Sequence, residues 1–225
     1  MGARGRDARG PTSLGGKLAN WLTDGRVPEW PALVMRAREA AVAVGMSLTR
    51  AGGGPSCCLP AVGQFLAVLA AGCKGGLIGE AGTGVGFGTA WMAAAMPADC
   101  RLVTVELDET RAAAARQVFA DEPRVEVVNG DAFEELARRA PFDLLFADGG
   151  SQPAEMVDLI RVGGRLVNDD VTPVSLLPSD SPYLTHDPKR DFFDDPRLVA
   201  TEVVLPDLRN SLLVGTRVCD VSGHR

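Results

Sequence analysis

The sequence predicts a doubly wound α/β fold, on three observations. From Gly76 onward short apolar runs alternate with helical stretches, the first run empties into a glycine-rich loop, and an acidic residue stands at or just past the end of each of the first five runs. Alternation with short connections gives a mostly parallel sheet covered by helices on both faces. The predicted strands are Leu77–Glu80, Leu102–Glu106, Val125–Asn129, Leu144–Ala147 and Arg165–Asn168. The earliest are apolar along their length, as strands buried on both sides must be. Helices are predicted between them at Thr89–Met96, Glu109–Ala120, Phe133–Arg139 and Glu155–Ile160. Two last runs, Leu198–Leu205 and Ser211–Val218, are joined by a link short enough for a hairpin, so an antiparallel pair closes the sheet.

Upstream, residues 1–16 are rich in Gly and Arg and read as a flexible tail, leaving 17–225 as one domain. Within it, 17–72 is helical and 76–218 is the alternating core. Helical patterns fall at Leu18–Leu22, at Pro31–Val44, and at Ala61–Ala71 with Gly72 as the stop. The stretch Ala51–Pro60 is a loop by its Gly and Pro content.

Composition narrows the function classes. A chain of 225 residues that is 46% hydrophobic can bury one sizeable core. Its net charge of -6, with only three lysines, argues against broad nucleic-acid binding, which needs clustered cations. No apolar stretch reaches the ~20 residues of a membrane span. The five cysteines have no C-x-x-C spacing and there are two histidines, which argues against a structural zinc site. Reduced thiols in a cytoplasmic protein are expected.

The loop after the first strand reads Glu80-Ala81-Gly82-Thr83-Gly84-Val85-Gly86-Phe87-Gly88-Thr89. Glycines just before a helix start let a ligand approach the backbone and meet free N–H groups. The dinucleotide fingerprint G-x-G-x-x-G/A fails in every register, because its last position falls on Phe87, Thr89 or Trp91. The P-loop pattern is absent as well, since no lysine lies between Lys74 and Lys189. Glu106 stands roughly 20 residues beyond the glycines, placed to accept ribose hydroxyl hydrogens. Asp131 in Asn129-Gly130-Asp131-Ala132 can accept an adenine amino group while a backbone N–H meets a ring nitrogen. Asp148 follows the fourth strand, and Asp169 with Asp170 the fifth. All these groups fall on the sheet edge where open α/β folds bind ligands.

Taken with GQFL (63–66), VTVELDE (103–109), FDLLFAD (142–148), GGRLVNDDV (163–171) and the tail VVLPDLRNSLLVGTRV (203–218), these motifs resemble the cation-dependent O-methyltransferases, the class I family containing the catechol and caffeoyl-CoA enzymes. The resemblance implies a Rossmann-like, seven-stranded sheet with an antiparallel last strand, and a homodimer. It implies S-adenosylmethionine held by Glu80, Gly82, Thr83, Gly84, Gly86 and Thr89 at its methionine part, by Glu106 and Leu107 at the ribose, and by Asp131 and Ala132 at the adenine, with Asp148 adjoining. It implies Mg2+ or another divalent cation on Asp148, Asp169 and Asp170, a set with aspartate where the family has asparagine. The family's lysine base is matched by Ser151, and its small hydroxyl after the glycines by Gly88, with Thr89 next to it.

The leading expectation is an O-methyltransferase for a small hydroxylated, catechol-like acceptor, with Asp148 as the one catalytic candidate and no assigned base. Tyr183, His186 and Lys189 lie in the loop 172–195 beside the predicted site. A metal-independent methyltransferase with another acceptor, or a cofactor-binding protein without catalysis, stays open as the alternative.

Overall fold

A computed structural model of the chain describes residues 30–48, 57–148, 153–205 and 210–220. The predicted helix at Leu18–Leu22, most of the loop 51–60 and Ser151 lie outside them. All elements below belong to the unit Ala32–Arg225.

Two helices precede the sheet. Helix α1 (Ala32–Ala43) buries Val34, Ala37 and Ala41 along one stripe. Helix α2 (Pro60–Ala71) starts one residue before the predicted Ala61, with proline at its first position, and stops at Gly72 as the sequence predicts. The core then runs β1 (Leu77–Ala81), α3 (Phe87–Ala95), β2 (Arg101–Glu106), α4 (Glu109–Val118), β3 (Val125–Asn129), α5 (Ala132–Ala137), β4 (Phe142–Ala147), α6 (Pro153–Met156) and β5 (Ile160–Val171). Three short 3-10 turns span the connection to the closing pair, β6 (Leu198–Leu205) and β7 (Asn210–Arg217).

The seven strands are ordered β3-β2-β1-β4-β5-β7-β6. β1 through β5 pair in parallel, and β7 lies antiparallel between β5 and β6. This is the Rossmann-like methyltransferase architecture. Strand order reverses between β1 and β4, and such a switch point opens a crevice at the carboxyl ends of the strands. Burial follows position. In β4, Phe142, Leu144, Leu145, Phe146 and Ala147 have no exposed surface. Edge strand β6 instead has no fully buried residue and alternates between half-buried and exposed positions except at Glu202–Val203. Helix α2 crosses α3 at Gly63, where any Cβ would stand 2.1 Å from the Trp91 ring.

Two expectations need correction. The helix predicted at Glu155–Ile160 is one α-turn followed by a 3-10 turn at Val157–Leu159, and Ile160 opens β5 by pairing with Phe142. β5 also runs past Asn168. Its register against β7 goes from Asn168 opposite Leu213 to Val171 opposite Ser211, so one extra residue is accommodated on β5. Asp170 there takes a left-handed φ of 63°, a conformation Asp tolerates better than most residues. A bulge of this kind bends the strand and re-aims its side chains.

Candidate functional site

A cavity of about 480 Å3 opens at the carboxyl ends of the parallel strands, within the size range of small-molecule sites. Its wall brings together Glu80, Gly82, Thr83, Gly84, Glu106, Leu107, Asp131, Ala132, Asp148 and Asp170. Gly86, Thr89 and Asp169, assigned to the site from sequence, are not part of that wall, although Asp169 presents an oxygen to Asp148 and Asp170.

The glycine loop is shaped by three left-handed residues, with φ of 93° at Gly82, 55° at Gly84 and 89° at Gly86. Gly86 has a packing reason too, since a Cβ there would stand 2.4 Å from the Phe119 ring. The loop is anchored to the end of β2: the N–H groups of Gly82 and Thr83 donate to the Val105 carbonyl at 2.9 and 3.1 Å.

Behind the loop, Glu80 is 1% exposed. Its Oε2 accepts from the Thr104 hydroxyl at 2.6 Å and from the Thr89 hydroxyl. Because Thr104 spends its proton on Glu80, Thr83 must donate to Thr104, 2.5 Å away. Thr89 therefore supports Glu80 from behind rather than offering its hydroxyl to a ligand. Gly88 leaves room for the same carboxylate, as its Cβ would lie 2.7 Å from Glu80 Oε1. Burial pushes Glu80 up to about 7; the threonine hydrogen bonds hold the shift down and nearby Glu106 adds to it.

Glu106 is fixed at the mouth of the same loop. Its Oε2 accepts the Gly84 N–H at 2.7 Å, and its Oε1 accepts the Asp108 N–H and the Arg111 guanidinium, both at 3.0 Å. Three donors orient the carboxylate, with acceptor capacity left on Oε2 for a hydroxyl. Asp131 caps α5 by accepting the Glu134 N–H at 3.0 Å. Its position beside Ala132 and the half-exposed Phe133 provides a polar and an apolar contact on one side of the cavity.

Across the cleft, Asp148, Asp169 and Asp170 each present an oxygen within 4.8 Å of the others. In a regular strand Asp169 and Asp170 would face opposite sides of the sheet; the bulge turns both toward Asp148. Asp169 is 1% exposed and its Oδ1 accepts from the Asn210 amide at 2.6 Å. The Asn168 amide ties the turn to β4 by donating to the Ala147 carbonyl at 2.9 Å. Three convergent carboxylates repel one another unless a cation sits among them, and an all-oxygen set suits a hard divalent ion. These residues therefore fit such an ion.

Several wall residues were not foreseen. Met46, Cys57, Cys58, Phe87, Arg111, Glu155 and Met156 also line the cavity. For Arg111 the sequence held a signal, because it occupies the first turn of the helix that Asp108 caps, right after Glu106. Asn210 carried none, being remote in sequence from the turn it contacts; Lys189 was placed beside the site by its loop, but not its contact with the turn. The thiols are poor nucleophiles at neutral pH: burial, then the Asp148 and Glu80 charges, push Cys57 up to about 12.

Residues 80–172, which span the glycine loop to the acidic turn, match the methyltransferase domain family model. A catechol O-methyltransferase of Niastella koreensis is 33% identical over 146 residues, covering 59% of this chain and 66% of that protein. A "Probable O-methyltransferase" of Mycobacterium tuberculosis is 37% identical over 119 residues, covering 48% of this chain and 53% of that protein. The chain thus spans about half the length of the mycobacterial relatives it matches. Among solved structures, the O-methyltransferase from Bacillus cereus in complex with SAH superposes with a TM-score of 0.66 at 24% identity, covering 89% of this chain and 97% of that one. The O-methyltransferase TomG from Streptomyces achromogenes, in complex with SAM, gives a TM-score of 0.66 at 22% identity, with 90% and 96% covered. At such identities the structural likeness bears on the fold, and the fold agrees with the motif order read from the sequence. Residues 80–172 thus carry a methyltransferase domain, and the relatives that the chain resembles are named O-methyltransferases.

Proposed function

We propose that the protein is an S-adenosylmethionine-dependent O-methyltransferase acting on a small hydroxylated acceptor, with a divalent cation on Asp148, Asp169 and Asp170. One observation carries the reading: a single cleft joins a carboxylate suited to a ribose, Glu106, with a triad of acidic groups suited to a hard cation. The relatives' names support oxygen as the acceptor atom, and the catechol enzyme among them supports vicinal hydroxyls.

The donor, when bound, supplies a methyl carbon on a cationic sulfur, and transfer to an oxygen leaves a neutral thioether. Glu106 would accept from the ribose hydroxyls, Asp131 with the Ala132 N–H would take the adenine edge, and the glycine loop would let the methionine part lie against the backbone. The cation, when bound, lowers the pKa of an acceptor hydroxyl and fixes its orientation. Asp148 closes the gap between the two halves, lying at the end of β4 beside Gly82: a Cβ on that glycine would come within 3.1 Å of the Asp148 carbonyl. Alignment of this kind can supply on the order of 7–11 kcal/mol of a methyl-transfer barrier. The reading includes a homodimer, as the family resemblance implies, and a cytoplasmic location, as reduced cysteines suggest. No described helix is long and apolar enough to cross a membrane.

The test is methyl transfer from S-adenosylmethionine to a panel of catechols and monophenols, with Mg2+ or with EDTA. The reading expects methylation of at least one catechol and its loss in EDTA. Cofactor binding without transfer to any oxygen acceptor, or transfer indifferent to EDTA, would count against it.

A further inference from the structure

The bulge that turns Asp169 and Asp170 toward one another leaves an unusual need behind it. A bulge disrupts the local ladder, so the turn needs support from outside the strand pair. The ammonium of Lys189 meets that need. Its Nζ donates to the Asp169 carbonyl at 3.1 Å and to the Asp170 carbonyl at 3.3 Å. The next residue does the same one step further on: Arg190 donates to the Thr172 carbonyl at 3.2 Å while gripping Glu202 of β6 at 2.8 and 3.0 Å. Glu202 is fixed in turn by the Ser211 hydroxyl of β7 at 2.6 Å. The 3-10 segment Pro188–Asp194 is thereby pinned across the end of β5. Lys189 is half-buried and is not part of the cavity wall.

We propose that Lys189 is a positioning residue that holds the Asp169–Asp170 bulge in its ion-binding geometry by taking both bulge carbonyls. This rests on the cation reading given above. Charge alone and positioning make opposite predictions, which is what makes the idea testable. A positive charge near three carboxylates weakens their hold on a cation, so deleting it should tighten binding if charge dominates. If the ammonium organises the turn, its loss frees a left-handed Asp170 to relax and binding weakens.

The experiment is calorimetric titration of Mn2+ into the full-length wild-type chain and into Lys189→Met, Lys189→Gln and Lys189→Arg, with the Mn2+ electron paramagnetic resonance signal as a second readout. S-adenosylmethionine affinity serves as the control for an intact donor pocket. The expected result is Mn2+ binding weakened about 10-fold or more in Lys189→Met, as for residues that orient metal ligands, with partial recovery in Lys189→Gln, near wild-type binding in Lys189→Arg, and donor affinity unchanged. Binding in Lys189→Met as tight as wild type or tighter overturns the proposal and leaves the cation reading standing. No Mn2+ binding by the wild type overturns both. Should Lys189→Met fail to fold, the comparison of Lys189→Gln with Lys189→Arg decides, and equal affinities in those two overturn the proposal.

Discussion

Glu106 at the end of β2 and Asp169–Asp170 near the end of β5 present carboxylates to the same cleft, yet the chain fixes them by different means. Glu106 is held by its own neighbourhood: the Asp108 N–H, the Arg111 guanidinium in the following helix, and the Gly84 N–H across one parallel pairing. The acidic turn is held by Asn210 and Lys189, from segments that return to the sheet much later in the chain. Both turns share one device. An asparagine on the neighbouring strand donates to the strand-end carbonyl, Asn129 to Glu106 and Asn168 to Ala147, each at 2.9 Å. The lesson is that a ligand-facing carboxylate on a standard strand-helix turn can be oriented locally. Two consecutive carboxylates aimed the same way need a broken strand, and the broken strand needs distant support.

The sharpest way to break this comparison is Asp169→Ala. Mn2+ affinity should fall by more than the roughly 10- to 100-fold that loss of a supporting residue costs, while S-adenosylmethionine affinity stays near wild type; calorimetry reads both. A parallel loss of donor affinity would mean that the two turns are not independent.

Glu80, buried behind the glycine loop, adds a pH dependence to the donor side alone. Its value in the fold, about 7, lies above its ordinary 4.5, so its contribution to stability is complete below about 4.5 and is lost as pH rises through 7. Glu80→Gln removes this titration while keeping an oxygen for Thr89 and Thr104. Relative to wild type, the variant should gain stability between pH 5 and pH 7.5, on the order of 3 kcal/mol at most, measured by urea unfolding. An identical pH profile in both proteins would sink the assignment.

Glu106→Gln should weaken S-adenosylmethionine binding by about 10- to 100-fold, since an amide cannot satisfy three donors and a ribose as a carboxylate does. Mn2+ affinity should not change. The smallest expected effect is that of Asp108→Ala. It removes the cap on the Arg111 N–H and should cost about 1 kcal/mol of stability, but the backbone N–H that Glu106 uses survives, so donor affinity should move less than threefold. A larger change would show that the helix start, and not only its backbone, positions Glu106.

How much of the site was legible follows the same division. The glycine loop, Glu106 and Asp131 could be placed because strand period, glycine spacing and helix caps are short-range signals. Thr89 was placed on the ligand and lies behind Glu80, because its orientation depends on the packing of α3 against β1. Arg111 was missed although it stands in a legible helix turn close to Glu106, since closeness in sequence does not say which way a half-buried arginine turns.

The sequence by itself determined the order of strands and helices, the parallel core with its antiparallel closing pair, and the edge of the sheet where acidic groups gather. These follow from apolar periodicity and from residues with restricted backbone preferences, which act over a few positions. Only the tertiary structure decided that β5 bulges, that Asp169 and Asp170 turn the same way, and that Asn210 and Lys189 hold them. Such features depend on how β5 registers against β7 and on what packs over the bulge, and that is a property of pairing between distant segments, which no local pattern encodes.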